Sequence, residues 1–140
     1  MADFETARRC ADALLANDRS TRAMGIAIDV PAAGQAVATM QVREDMINGL
    51  GVIHGGLTFA LADTACAFAC NTYGEQTVAA SAQIEFLRPA KLGDTLTATA
   101  HEDHRGRRNG YYSVAVRNQR DELVALFRAR TTSNGKPCLK

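Results

Sequence analysis

The strongest chemical signal in the sequence is an aspartate inside an apolar run. Asp63 lies within the run from Leu57 to Asn71, and it is the only formally charged side chain between Asp45 and Glu75. A buried carboxylate without a partner is costly or shifts its pKa upward. Carboxylates perturbed in this way cluster at active sites, so Asp63 is a candidate catalytic residue. The alternative is a structural Asp that is bonded to nearby backbone or lies at a wet subunit boundary.

A second signal opens the same run. His54, Gly55 and Gly56 precede the apolar residues, at the expected start of a helix. The first N–H groups of a helix have no intrahelical partner and carry the positive end of the dipole. Glycine lets a ligand approach that backbone, and backbone donors aimed at a carbonyl oxygen form an oxyanion hole. The alternative is that the two glycines only permit a tight helix entry.

Two helices are expected. The run from Gly55 to about Asn71 is rich in Ala and Leu and apolar on every side, which predicts a central buried helix. Near the N-terminus, apolar residues from Phe4 to Leu15 follow the helical period, with Asp3 as N-cap. The polar run 17–20 is expected to end that first helix.

The remaining elements are predicted strands. Apolar and polar residues alternate in 35–43, 78–86, 96–100 and 112–116, and a last strand is expected from about Glu122 to Thr131. Short turns between consecutive strands predict antiparallel pairing. The expected fold is α+β, with one sheet wrapped around the central helix. Residues 1–140 are predicted to form a single domain with a loose tail over 133–140.

Composition excludes several classes of protein. The net charge of +1 argues against a nucleic-acid partner, and no apolar stretch is long enough to cross a membrane. The start of the chain does not read as a secretion signal. The four cysteines match no zinc pattern and no disulfide framework, which predicts a metal-free cytoplasmic protein.

The segment from Asn48 to Ala65 resembles the signature of hotdog-fold acyl-CoA thioesterases, with Asn48-Gly49 followed by His54-Gly55-Gly56 and Asp63. Three later segments, 84–90, 93–100 and 124–128, are similar to the phenylacetic-acid-degradation thioesterases. The resemblance implies hydrolysis of acyl-CoA esters, perhaps best described as phenylacetyl-CoA or hydroxyphenylacetyl-CoA, to free acid and CoA. It implies no cofactor beyond the CoA of the substrate.

The resemblance also assigns roles. Asp63 matches the catalytic acid, acting as nucleophile or general base, and the Gly55 N–H matches the oxyanion donor. Asn48 and His54 match residues that position the thioester and water, and Ser81 matches a strand hydroxyl near the carboxylate. Strand parity places Ser81 with Gln83 and Glu85, on the face opposite Val78 and Ile84, where Ser81 is open to solvent. The expected substrate-binding residues are Gly56, Arg88, Lys91, Arg105, Arg107 and Arg108, although ordinary surface charge explains any one of the basic residues equally well.

Assembly follows from helix geometry. Gly55 and Asp63 are eight residues apart, so their backbones are about 12 Å apart along one helix. One helix therefore cannot supply both groups to the same thioester, whereas two antiparallel copies can. We expect a homodimer as the minimum active unit and a homotetramer as the complete assembly of this protein.

Two other functions remain open. A hotdog hydratase or dehydratase would pair His54 with Asp63 across its site. A non-catalytic acyl-CoA-binding regulator is expected to lack the acid, so Asp63 favours an enzyme.

Overall fold

A long helix lies across one face of a six-stranded antiparallel sheet. The computed structural model describes residues 3–139. The helices are α1 (Phe4–Ala16), α2 (Arg19–Ala23) and α3 (Gly55–Cys70). The strands are β1 (Ala27–Asp29), β2 (Gln35–Gln41), β3 (Glu75–Phe86), β4 (Thr95–Arg105), β5 (Asn109–Arg117) and β6 (Leu123–Pro137). This arrangement confirms the expected α+β hotdog fold, with its N-terminal and central helices.

The core lies between α3 and the concave face of the sheet. Leu61, Ala65 and Phe68 of α3 are almost completely buried. The facing strand positions are occupied by alanine, as at Ala38 and Ala98, which lets the helix approach the strands closely. The apolar character of α3 is thus explained by burial, as expected from its sequence. Asp63, in contrast, remains half-buried.

The strand order differs from a simple meander. Neighbours in the sheet run β1-β2-β4-β5-β6-β3, so β3 pairs with β6 and not with the next strand, β4. The expected pairing of consecutive strands is therefore wrong for β3 and β4. Residues 87–94 form a connection that crosses to the middle of the sheet, where β4 pairs with β2 and β5. As a result, β3 is a sheet edge of 12 residues.

Two end assignments also change. The run 17–20 ends α1, but Asp18 then caps α2 by accepting a hydrogen bond from the Thr21 N–H at 3.0 Å. The expected loose tail is wrong over 133–137, because β6 continues to Pro137, where it pairs with Glu75. Ser133 Oγ donates to Glu75 Oε2 at 2.6 Å, a long-range contact that local sequence does not reveal. Lys140 of the predicted tail lies outside the described residues.

Asn71 joins the end of α3 to the start of β3. Its buried Nδ2 donates to the carbonyl oxygens of Ala67 and Thr77, each at 2.8 Å, and its Oδ1 accepts from the Thr77 N–H at 2.9 Å. Gly74 follows with a positive φ of 92°, a backbone conformation that glycine adopts without strain. This joint fixes the edge strand against the helix that carries Asp63.

Candidate active site

Asp63 belongs to a stripe of α3 residues that begins at Gly55. Gly55, Phe59 and Asp63 recur at intervals of four residues and therefore form one stripe along the helix. A Cβ on Gly55 would lie 3.1 Å from the Phe86 ring, and the Phe59 ring stacks edge-on against Phe127 at 5.3 Å between centroids. The stripe thus runs beside the inward residues of β3 and β6.

The carboxylate of Asp63 has no partner among residues 3–139, since no hydrogen bond or ion pair reaches it there. Burial raises the pKa of Asp63 above its ordinary value. A half-buried carboxylate with a raised pKa is a better proton acceptor than a fully solvated one. The expected perturbation is therefore present, and the side chain remains open enough to meet a substrate.

The start of α3 presents one free backbone donor. His54 is the N-cap, and its Nδ1 accepts the Gly56 N–H at 2.8 Å. Within the described chain, the Gly55 N–H has no hydrogen-bond partner. It is thus the donor available at the positive end of the helix, as its expected role requires. Gly56, expected to bind substrate, already uses its N–H in the cap.

Asn48 organises the loop that leads into α3. Its Oδ1 accepts from the N–H groups of Leu50 at 2.9 Å and Val52 at 3.3 Å. The loop is closed behind it by the His54 N–H, which donates to the Met46 carbonyl at 2.9 Å. Asn48 therefore positions His54 and Gly55 through the loop backbone, while its Nδ2 is not engaged in these bonds.

An apolar pocket adjoins the Gly55 backbone. It has a volume of about 320 Å³ and lies between the start of α3 and the segment that follows β3. Phe86 and Leu87 are 57% and 53% exposed, although both are large apolar residues. Sequence reasoning missed Phe86 and Thr58, because nothing local indicates that the end of β3 returns to the start of α3. The pocket is lined by Val52, Ile53, Gly55, Thr58, Phe86, Leu87, Arg88, Pro89 and Val124.

The expected basic residues fall into two separate groups. Arg88 lines the Gly55 pocket and pairs with Glu122 at 3.3 Å, and Lys91 follows it in the same connection. Arg105, Arg107 and Arg108 lie instead at the β4–β5 turn. There the Arg105 guanidinium lies 3.8 Å above the Tyr73 ring, just beyond the C-terminal end of α3. The structure does not bring the two groups together within one chain.

Ser81 lies on the outer face of β3. It pairs with Arg130, next to a bulge at Ala80, and shares a shallow hollow with Gln83 and Arg128 on the outer face. The expected parity with Gln83 is confirmed, whereas the bulge moves Val78 onto this outer face as well. A contact between Ser81 and the carboxylate is absent in the part of the chain described, and its role stays a prediction.

Metal and membrane sites have no support in the described chain. Over residues 3–139, no three His, Cys, Asp or Glu side chains gather in a group that would hold a metal ion. In the same range, none of the helices has the length and apolar character needed to span a bilayer.

Comparison with known proteins defines the family. The model described as the thioesterase superfamily matches residues 50–125. Over 121 residues, the chain is 47% identical to the acyl-coenzyme A thioesterase PaaI of Escherichia coli strain K12, with 86% of each chain covered. The chain belongs to the thioesterase superfamily. The resemblance to hotdog-fold acyl-CoA thioesterases and the expectation of an enzyme are therefore confirmed.

Solved structures agree with this assignment. The structure of the E. coli PaaI protein from the phenylacetic acid degradation operon matches with a TM-score of 0.93 and 44% identity, covering 95% of this chain and 96% of that one. Another neighbour is smu.793 from Streptococcus mutans UA159, solved bound to acetyl CoA, with a TM-score of 0.77 and 28% identity. That match covers 80% of this chain and 90% of the other.

Proposed function

We propose that this protein hydrolyses CoA esters of phenylacetic acid and its ring-hydroxylated derivatives to the free acid and CoA. One observation carries the proposal. Within the described chain, α3 carries a half-buried Asp63 carboxylate without a partner and a Gly55 N–H without a hydrogen bond. They supply the two groups that thioester hydrolysis needs, a base or nucleophile and an oxyanion donor. The likeness to PaaI supports the substrate class.

The chemistry balances with these two groups alone. With Asp63 as general base, its carboxylate removes a proton from water while the water oxygen attacks the thioester carbon. The Gly55 N–H donates to the carbonyl oxygen as that oxygen gains negative charge. The C–S bond then breaks, and the CoA thiolate takes up the proton. With Asp63 as nucleophile, a mixed anhydride forms first and water cleaves it. Neither route requires a metal or a cofactor.

The site requires two chains. The axial separation of about 12 Å between Gly55 and Asp63 exceeds the reach of one thioester group. The long edge strand β3 offers the means of pairing, because β6 is its one strand neighbour among residues 3–139 and Val78 is 64% exposed. Exposed apolar edge strands pair readily with another strand. A twofold pairing of β3 with its copy places the partner's helix antiparallel, so that each site takes Gly55 from one chain and Asp63 from the other.

The pocket beside Gly55 supports a small aromatic acyl group. Its volume of about 320 Å³ is at the lower end of the range for ligand pockets, which suits a compact acyl group better than a long chain. Phe86 and Leu87 provide an apolar wall, and Phe86 offers a ring against which an aryl group can pack. Arg88 at the rim is available to a CoA phosphate, and Lys91, Arg105, Arg107 and Arg108 are further candidates.

The cap at His54 favours hydrolysis over the hydratase alternative. A hydratase that uses His54 as its base needs an acceptor nitrogen left free on the imidazole ring. Here Nδ1 already accepts the Gly56 N–H, so in the neutral ring the proton resides on Nε2. His54 is then a donor that positions substrate or water, in keeping with its expected role. We further infer a cytoplasmic location, since the four cysteines are free thiols.

A substrate panel tests the proposal. Thiol release is followed for acetyl-CoA, hexanoyl-CoA, palmitoyl-CoA, phenylacetyl-CoA and hydroxyphenylacetyl-CoA. We expect the two aryl esters to have the highest kcat/KM. If acetyl-CoA and palmitoyl-CoA both exceed phenylacetyl-CoA, the aryl assignment is wrong. Tight binding of every ester without thiol release would instead support a binding regulator, and water addition to enoyl-CoA would support a hydratase.

A further inference from the structure

Two cysteines from opposite ends of the chain meet at the surface. Cys10 on α1 and Cys138, just after β6, are 128 residues apart in sequence, and their Sγ atoms are 3.2 Å apart. Cys10 is 1% exposed, whereas Cys138 is partly exposed. Both are free thiols. Nothing in the thioesterase chemistry uses either residue.

We propose that Cys10 and Cys138 form a reversible disulfide that fastens the N-terminal helix to the end of the last strand. Bonded sulfur atoms are about 2.05 Å apart, so the bond requires the two side chains to approach by roughly 1 Å. Cys138 has the freedom to make that movement because it lies outside the β6 ladder. Its backbone N–H donates to the Gly74 carbonyl at 2.9 Å, which keeps it near Cys10.

The surroundings determine the order of events. Burial raises the pKa of Cys10 to about 11, so Cys10 stays protonated and reacts slowly with reagents in solution. Cys138 is the thiol that a peroxide reaches first. The remaining two cysteines, Cys66 and Cys70, are 1% and 3% exposed inside the core. Oxidation is therefore directed to one pair of the four thiols.

The reaction with a peroxide is balanced in two steps. Hydrogen peroxide converts the Cys138 thiol to a sulfenic acid and leaves as one water. Cys10 sulfur then attacks the Cys138 sulfur, the S–O bond breaks, and the second water leaves with the proton of Cys10. The two thiols lose two electrons and two protons in total. A thiol reductant such as glutathione reverses the bond by exchange.

The proposed disulfide would act as a covalent clip that joins α1 to the end of β6, beside the start of the edge strand β3. α1 packs against the turn 71–73 that leads into β3. The Cys138 N–H donates a hydrogen bond to the carbonyl of Gly74, the residue that follows this turn. A Cys10–Cys138 disulfide closes a loop of nearly the whole chain and so strongly lowers the conformational entropy of the unfolded state. We therefore expect oxidation to raise the Tm by roughly 5–10 °C. Thioester hydrolysis is expected to continue, because Gly55 and Asp63 belong to other parts of α3.

The test compares the full-length protein before and after a brief treatment with hydrogen peroxide. Thiols titrated in denaturant should fall from four to two, the intact mass should fall by two hydrogens, and peptide mapping should find Cys10 joined to Cys138. Cys138→Ser should keep its three thiols and gain no Tm. Cys66→Ala, the matched control, should fall from three thiols to one.

Several outcomes would overturn the proposal. If all four thiols remain after peroxide treatment, the contact between Cys10 and Cys138 is only a hydrogen bond between thiols. A Cys66–Cys70 bond, a Cys138–Cys138 bond between chains, or a sulfinic acid at Cys138 with Cys10 free would each contradict the pairing. An unchanged or lower Tm in a protein that carries the Cys10–Cys138 bond would refute the stabilising clip.

Discussion

The proposed two-chain site can be tested by recovering activity from two inactive variants. Asp63→Ala removes the carboxylate, and Gly55→Pro removes the backbone donor. The backbone accommodates proline at this position, because Gly55 is the first helical residue and its N–H has no partner in the described chain. His54 has a ψ of 128°, an extended conformation that suits a residue before proline.

The recovered activity follows from counting sites. Equal amounts of the two variants, refolded together at random, form mixed dimers in half of the cases. Each mixed dimer has one intact site, with Gly55 from one chain and Asp63 from the other, and one site that lacks both groups. About a quarter of all sites are therefore active. When total activity is plotted against the mixing ratio of the two variants, the curve should be bell-shaped, with its maximum at equal amounts. Each variant alone should lose roughly 10²–10³-fold or more in kcat.

Gly55→Ala is the matched control for the proline variant. A Cβ at this position would lie 3.1 Å from the Phe86 ring, so both substitutions press on the same side chain, but alanine keeps the N–H. The alanine variant should therefore retain far more activity than the proline variant. Thiol release from phenylacetyl-CoA measures activity, and native mass spectrometry counts the mixed dimers. If mixed dimers form in the expected share and none hydrolyses substrate, the two-chain site is refuted.

Three further predictions concern single residues. Asp63→Asn should lose about 10²–10⁴-fold in kcat and keep its fold. Because burial raises the pKa of Asp63 in the folded state, the wild type loses stability as pH rises from the unfolded pKa of about 3.9 through the folded pKa. In urea melts at pH 7, the free energy of unfolding of Asp63→Asn should thus be at least that of the wild type. At pH 3 any stability gain of the variant should disappear. A stability gain that grows toward low pH would contradict the burial of the Asp63 carboxylate. Phe86→Ala should lower kcat/KM about fivefold for phenylacetyl-CoA relative to acetyl-CoA, since an aromatic contact contributes about 1 kcal/mol, and an unchanged ratio would remove Phe86 from the acyl pocket. Asn71→Leu should lower the free energy of unfolding by about 3 kcal/mol, because Thr77 N–H and two carbonyl oxygens lose their partner, and a loss below the error of urea melts would show that water replaces the side chain.

Local sequence was sufficient for the elements that carry the candidate site. The apolar run identified α3, and alternation identified four of the β-strands that surround it. Asp63 and Gly55 were recognisable because polarity inside an apolar run, and glycine at a helix start, are local features. The Asp3 cap was equally local, and its side chain accepts the Thr6 N–H at 2.7 Å.

The missed features depend on contacts between distant residues. The extension of β6 to Pro137 depends on Glu75 and its neighbours, which lie about sixty residues earlier. The bulge at Ala80 reversed the parity of Val78, because one unpaired residue changes which face the rest of a strand presents. The contact of Phe86 with Gly55 arises only after β3 has taken its place at the sheet edge.

The position of β3 in the sheet also sets the order in which the chain can assemble. β3 is made before β4, β5 and β6, but its only strand neighbour in the described sheet is β6. Ala79, for example, pairs with Thr131, so a long loop must close before the edge strand is held. During synthesis β3 has no strand partner until almost the whole chain has emerged. The edge through which we propose that two copies pair is therefore completed last, after the core of each copy is in place.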